Sequence, residues 1–189
     1  MLAKSEIRAK FRRLRDSFVA NARPGELERS LSEQLSKVFG GTGDLWAGYQ
    51  KASTEADPAL AIQASQKKWA YPKVEGENIR FFVPSREDAW VKSSWGILEP
   101  DPKNSNEIQI NDASGVLVPG LAFDRNGSRV GSGKGFYDRA LKNYRGVKVG
   151  VSLSVQVSSE PLPREAFDVA MDYVVTEEAV IAVQKGLEK

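Results

Sequence analysis

The chain has 189 residues, 27 basic and 25 acidic side chains for a formal charge of +2, and neither cysteine nor histidine. That double absence excludes Cys/His zinc sites, disulfide frameworks, thiolate nucleophiles and histidine-dependent triads. Any chemistry must therefore run on carboxylates, Lys, Arg, Tyr, hydroxyls, backbone dipoles or a bound ion.

A composition of 41% hydrophobic and 28% charged residues, with four Trp, is that of a soluble globular chain, and the length fits a single domain over residues 1–189. No apolar run approaches the roughly 18 residues of a membrane span, and the charged N-terminal stretch lacks a signal-peptide core. A cytoplasmic protein is expected. The small net charge hides an asymmetry: residues 1–23 carry seven basic and two acidic side chains, a local +5, against −3 for the rest.

That segment predicts an amphipathic helix, since Ile7, Phe11, Leu14 and Phe18 recur at helical spacing. Lys4, Arg8, Arg12 and Arg15 form a cationic stripe beside it, which fits either a solvated outer face or a surface for polyphosphate. A second helix is expected from Pro24 to Phe39, ended by Gly40 and Gly41. DLWAGY (44–49) reads as a buried strand, and Asp57-Pro58 as the start of a helix through PALAIQASQ. KWAYPKV and IRFFVP read as strands around the turn EGEN. Residues 85–112 read as irregular, GVLVPG (115–120) as a short strand, and Phe136, Ala140, Leu141 and Tyr144 as one helix face. VKVGVSL (147–153) and DYVV (172–175) read as strands, and Glu177 to Gly186 as a closing helix. Alternating strands and helices predict an α/β fold with a largely parallel sheet.

The run VLVPGLAFDRNGSRVGSGKGFYD (116–138) is the most informative. Glycines at 127, 131, 133 and 135 precede a helix start, so backbone N–H groups can turn inward and the helix adds partial positive charge. Named phosphate motifs fail: a Walker A loop would need glycine at Ser128 and a hydroxyl at Gly135, and the dinucleotide fingerprint is also broken. Arg129 and Lys134 within the loop favour an anionic ligand over a plain glycine-rich turn. Asp138 in the first helical turn suits either the helix dipole or Mg²⁺ beside a polyphosphate, with a second carboxylate available from Asp168 or Asp172.

PGLAFD followed by GSRVGSGKGFYDRAL resembles the signature of the 5-formyltetrahydrofolate cyclo-ligase family, also called 5,10-methenyltetrahydrofolate synthetase. The resemblance extends to Lys4 with Arg8, Tyr49 with Glu55, GILEP (96–100), and Asp168, Asp172 and Thr176-Glu177. It implies a three-layer α/β/α sandwich with a mostly parallel central sheet. It also implies an enzyme that uses ATP and Mg²⁺ to close 5-formyltetrahydrofolate into 5,10-methenyltetrahydrofolate, releasing ADP and phosphate. Carried over by position, the family's ATP contacts fall on Lys4, Arg8, Arg129, Val130, Gly131, Ser132, Gly133, Lys134, Gly135, Phe136 and Tyr137. Arg129, Lys134 and Tyr137 carry the catalysis in this reading, and Asp138 and Asp168 hold the metal. Tyr49, Gln50, Glu55, Trp95 and Phe136 fall on the folate side. Three positions depart from the usual pattern: Ser132 replaces a bulky or basic residue, Phe136 replaces a tyrosine, and Phe167 replaces a histidine.

The partners expected are small molecules, without nucleic acid or membrane, bound by a monomer. Two competing readings share the features above. A sugar-phosphate or CoA-type enzyme could use the loop without hydrolysing ATP, and the basic helix could serve as a nucleic-acid arm with steep salt dependence.

Overall fold

The computed structural model describes residues 3–40, 43–86 and 88–184. Helix α1 (Lys4–Asn21) is followed by α2 (Glu26–Ser36), strand β1 (Leu45–Ala47), α3 (Ala59–Ala64), and the long hairpin of β2 (Lys68–Glu75) and β3 (Asn78–Pro84). Short strands β4 (Trp90–Lys92), β5 (Leu98–Pro100) and β6 (Ser105–Ile108) lead into β7 (Gly115–Pro119). The glycine-rich run carries β8 (Ala122–Asp124) and β9 (Arg129–Val130) and opens α4 (Phe136–Ala140). Then come β10 (Val147–Val151), β11 (Val157–Ser158), β12 (Tyr173–Val175) and β13 (Val180–Ala182).

Eight of these strands form one sheet in the order β13-β12-β10-β7-β1-β2-β3-β6. The central strands β12, β10, β7, β1 and β2 are parallel, and β13, β3 and β6 add antiparallel edges. A parallel strand is buried on both faces, and β7 shows this in its uninterrupted apolar run. Leu117 packs with Leu31 and Leu35 of α2 and Ile62 of α3, whereas Val116 and Val118 pack with Leu141 and Tyr144 beyond α4. Helices thus cover both faces, as the expected α/β/α layering requires. Gly115 has a specific reason: a Cβ there would lie 2.5–2.6 Å from the Trp46 indole, which needs that space against its neighbouring strand.

Three expectations are corrected. The closing helix is instead strand β13, pairing antiparallel with β12 as Val174↔Ile181 and Val175↔Val180. Thr176 makes the reversal, its hydroxyl accepting the Glu178 and Ala179 N–H groups at 3.2 and 3.1 Å while its own N–H donates to Ala179 O. An open sheet edge and two β-branched residues at 180–181 outweigh the helical propensity of the flanking Glu and Ala. Gly41 and Gly186, named as helix ends, lie outside the described residues. The segment 85–112 is not irregular throughout, since β4 and β5 form a hairpin and β6 extends the main sheet. Finally, Leu14 is 42% exposed and its place on the buried stripe of α1 belongs to Arg15, 6% exposed.

Candidate active site

Strands β1 and β7 run parallel and end at one edge of the sheet, where open α/β sheets bind their ligands. There α1, the glycine-rich loop and the segment before β12 enclose a cleft of about 580 Å³. Lys4, Arg8, Arg12 and Arg15 line it from α1, facing Arg129, Asp138 and Asp168.

The loop owes its shape to glycine at two positions. Gly133 has φ +102°, a conformation that side chains disfavour, and a Cβ there would meet the Arg8 guanidinium at 3.3 Å. A Cβ on Gly131 would lie 2.6 Å from Arg129 Nη1. Arg8 uses the space by donating from Nε to Gly131 O at 3.0 Å, which ties α1 to the loop.

Arg129 is buried. Its Nη2 donates to both oxygens of Asp138 at 2.9 and 2.8 Å, Nη1 donates to Pro119 O at 3.3 Å, and Nε has no partner. A buried guanidinium with a spare donor is poised for one more acceptor. Lys4 pairs with Asp168 at 2.7 Å and Glu165 at 3.0 Å. Partial burial pulls the Lys4 ammonium down, but hydrogen bonds to Asp168 and Glu165 outweigh it and raise its pKa. Burial pushes the Asp168 carboxyl up, yet Lys4 and the Glu165 N–H hold it below its ordinary value.

A second cavity of about 450 Å³ adjoins the first, walled by Tyr49, Tyr71, Ile79, Trp95 and Phe136. Ala52, Glu55, Pro119, Ser132, Phe136 and Tyr137 line both, so they form the partition. Glu55 sits on a tight loop in which Ser53 has φ +47°, the one non-glycine residue with positive φ among those described. Its carboxylate accepts the Ala52 N–H at 3.0 Å, and Thr54 hydrogen-bonds Asp16 of α1. Burial raises the Glu55 pKa, opposed by the Ala52 N–H and the Arg15 charge. Burial raises the Tyr137 pKa, with the Glu55 charge adding to it. The Tyr49 hydroxyl donates to Ala56 O at 2.6 Å, which occupies its proton within the fold.

The cleft gathers Lys4, Arg8, Arg129, Val130, Gly131, Ser132, Gly133, Gly135, Phe136 and Tyr137 of the expected nucleotide set, with Asp138 and Asp168. The second cavity gathers Tyr49, Gln50, Glu55, Trp95 and Phe136 of the expected folate set. Lys134 goes elsewhere than its neighbours: it lines the apolar cavity, with Nζ 5.6 Å from the Trp95 ring centroid. Arg12 and Arg15, read above as a possible solvated face, line the cleft, and their place in the Lys4–Arg8 stripe was the available signal. Asp172 is not beside Asp168 in the cleft, because its carboxylate accepts the Lys148 N–H at 2.8 Å and pairs with Lys148 Nζ. Phe167 is 66% exposed with Lys4 Nζ 5.9 Å from its ring centroid.

Among the described residues no three acidic side chains cluster as a metal site. Two carboxylates, Asp138 and Asp168, still suit Mg²⁺, which usually takes one or two from the protein and completes its shell with phosphate and water.

Comparison with known proteins gives this arrangement its context. A mitochondrial 5-formyltetrahydrofolate cyclo-ligase of Arabidopsis thaliana is 34% identical over 142 residues, 63% of this chain and 50% of that protein. The chain spans about half the length of the curated relatives it matches. The NMR structure of Aquifex aeolicus 5,10-methenyltetrahydrofolate synthetase superposes with a TM-score of 0.78 at 33% identity, covering 100% of this chain and 96% of that one. The Mycoplasma pneumoniae 5,10-methenyltetrahydrofolate synthetase shares the fold, with a TM-score of 0.71 at 20% identity over 93% of this chain and 99% of that one. The model of the 5-formyltetrahydrofolate cyclo-ligase family matches residues 2–177, spanning the basic helix, the Glu55 loop, the glycine-rich signature and both cleft carboxylates. This chain therefore belongs to the 5-formyltetrahydrofolate cyclo-ligase family.

Proposed function

We propose that the protein closes 5-formyltetrahydrofolate to 5,10-methenyltetrahydrofolate at the expense of ATP. The observation that carries this reading is the partition: a charged cleft and an apolar cavity share Glu55, Pro119, Phe136 and Tyr137. A polyphosphate on one side and a pterin on the other would meet there. Family membership supports the same substrates.

Formamide oxygen is a poor leaving group, which explains the need for ATP. The formyl oxygen attacks the γ-phosphorus and the bond to ADP breaks. The N10 lone pair then attacks the activated formyl carbon, N10 gives up its proton, and the C–O bond breaks to release phosphate. Phosphoryl transfer depends mainly on positioning and on neutralising charge. Arg8 and the loop hold the polyphosphate in this proposal, and the spare Arg129 Nε donor stabilises the transferring group. Asp138 and Asp168 would hold Mg²⁺, which supplies charge neutralisation at phosphate oxygens when bound.

That all four basic side chains Lys4, Arg8, Arg12 and Arg15 line the cleft supports a nucleotide role over a nucleic-acid arm. Among the described residues no helix is long and apolar enough to cross a membrane, and we read the enzyme as a cytoplasmic monomer. The test is direct: protein, Mg²⁺, ATP and 5-formyltetrahydrofolate are mixed and methenyltetrahydrofolate is followed by its near-ultraviolet absorbance. Product that requires ATP is expected, and its absence overturns the proposal.

A further inference from the structure

Lys134 stands apart from the loop that carries it. Gly133 and Gly135 both line the phosphate cleft, while the Lys134 side chain between them lines the apolar cavity. The backbone explains the divergence: φ is +102° at Gly133 and +68° at Gly135, so the chain reverses on either side of the lysine. Its carbonyl accepts the Arg139 guanidinium at 3.0 Å, which holds the loop in that turn.

The ammonium lies over the indole of Trp95, at the turn between β4 and β5. That turn is built rather than loose: the Ser93 N–H donates to Ile97 O at 2.8 Å, the Gly96 N–H to Ser93 O at 3.0 Å, and Gly96 supplies φ +78°. Trp95 is 61% exposed, and Lys134 makes no ion pair among the described residues. Of the acidic side chains around the two cavities, Asp138 holds Arg129 and Glu99 pairs with Lys73, while the Glu55 carboxylate accepts the Ala52 N–H.

An unpaired ammonium beside an exposed indole, at the rim of an otherwise apolar cavity, is complementary to a ligand with an aromatic body and an anionic end. We infer that Lys134 recognises a glutamyl carboxylate of the folate, with Trp95 covering the p-aminobenzoyl ring. Lys134 is then a specificity-determining residue for the folate rather than a phosphate ligand for ATP. This rests on the functional reading above and goes beyond it, assigning which end of the substrate lies at the cavity mouth.

The experiment uses the full chain and calorimetric binding without turnover. The three ligands are 5-formyltetrahydrofolate, 5-formyltetrahydropteroate, which lacks the glutamate, and a non-hydrolysable ATP analogue with Mg²⁺. Lys134→Met is expected to weaken folate binding about tenfold, the order of one charge-assisted hydrogen bond. The pteroate and the ATP analogue should each change less than about twofold, a shift too small to represent a lost hydrogen bond, and Lys134→Arg should restore most of the folate affinity. Equal losses for folate and pteroate, or a loss confined to the ATP analogue, overturn the inference. Wild-type protein that binds neither folate nor pteroate overturns the functional reading itself. Wild-type binding with an unchanged Lys134→Met overturns only the role of the lysine.

Discussion

The two halves of the site solve opposite electrostatic problems. In the cleft beside α1, Asp138 has Arg129 as its cation and Asp168 has Lys4. Charge is concentrated there with these carboxylates paired, and the directions of the Lys4 and Asp168 pKa shifts show both groups favoured in their ionised forms. In the partition Glu55 is half-buried with apolar walls on one side, and that burial disfavours its charge. One half is stable because its charges are paired, whereas the other keeps a carboxylate at a cost to the fold. Under the proposed function, a site for a polyanion and a largely neutral heterocycle needs both.

The sharpest break of this contrast is Arg129→Ala. It removes the spare donor and leaves Asp138 without its cation, so kcat/KM for ring closure should fall by about 10²–10³ or more, in line with loss of a preorganised donor. Circular dichroism should show the fold retained. Near-normal turnover would take Arg129 out of the mechanism.

Gly133→Ala should come next. It places a side chain at φ +102° and against Arg8, so strain of about 1–3 kcal/mol is expected to appear mainly as weaker ATP binding. Titration with the non-hydrolysable analogue, at constant folate affinity, would show that the effect stays on the cleft side.

Glu55→Gln tests the other half. It should weaken folate binding by about tenfold, the scale of a charge-assisted contact, and leave ATP binding unchanged. Its stability effect has the opposite sign. Because the folded Glu55 pKa is raised above its unfolded value, ionisation disfavours the native state as pH rises through the carboxylate range. The glutamine variant should therefore melt at a higher temperature than wild type at pH 7, with the difference shrinking toward pH 4. Asp168 shows the reverse linkage: its lowered pKa adds stability above the unfolded carboxylate pKa that is lost as pH falls through the folded value. A Tm difference for Asp168→Asn that grew on acidification would contradict that assignment.

The smallest effect belongs to Leu14→Gln, an exposed position on α1. Denaturant unfolding should change by less than about 0.5 kcal/mol, as for an ordinary surface substitution. A larger loss would restore Leu14 to the buried stripe that the spacing alone suggested.

Much of the fold was legible because its signals are local. Apolar runs bounded by turn residues placed β1, β2, β3, β7, β10 and β12, and the basic stripe marked α1 as a candidate ligand surface. Leu14 and Arg15 were harder to separate, since both fit a helical stripe after Ile7 and Phe11 and only the neighbours decide which turns inward. β13 was misread for a related reason: a segment with helical propensity becomes a strand when an unpaired sheet edge is within reach.

From the sequence alone came the exclusion of thiol and imidazole chemistry, the anion-shaped glycine loop, the family resemblance and most of the residues that line the two cavities. Composition, short motifs and periodicity are properties of neighbouring residues, so they survive without a fold. Only the tertiary structure decided how those residues share the work. It brought Lys4 to Asp168 across 164 positions and Arg8 to Gly131 across 123. It also turned Lys134 away from the cleft its neighbours line. Such choices depend on which strand ends stand side by side and which cavity a reversed backbone faces, and no local pattern encodes that.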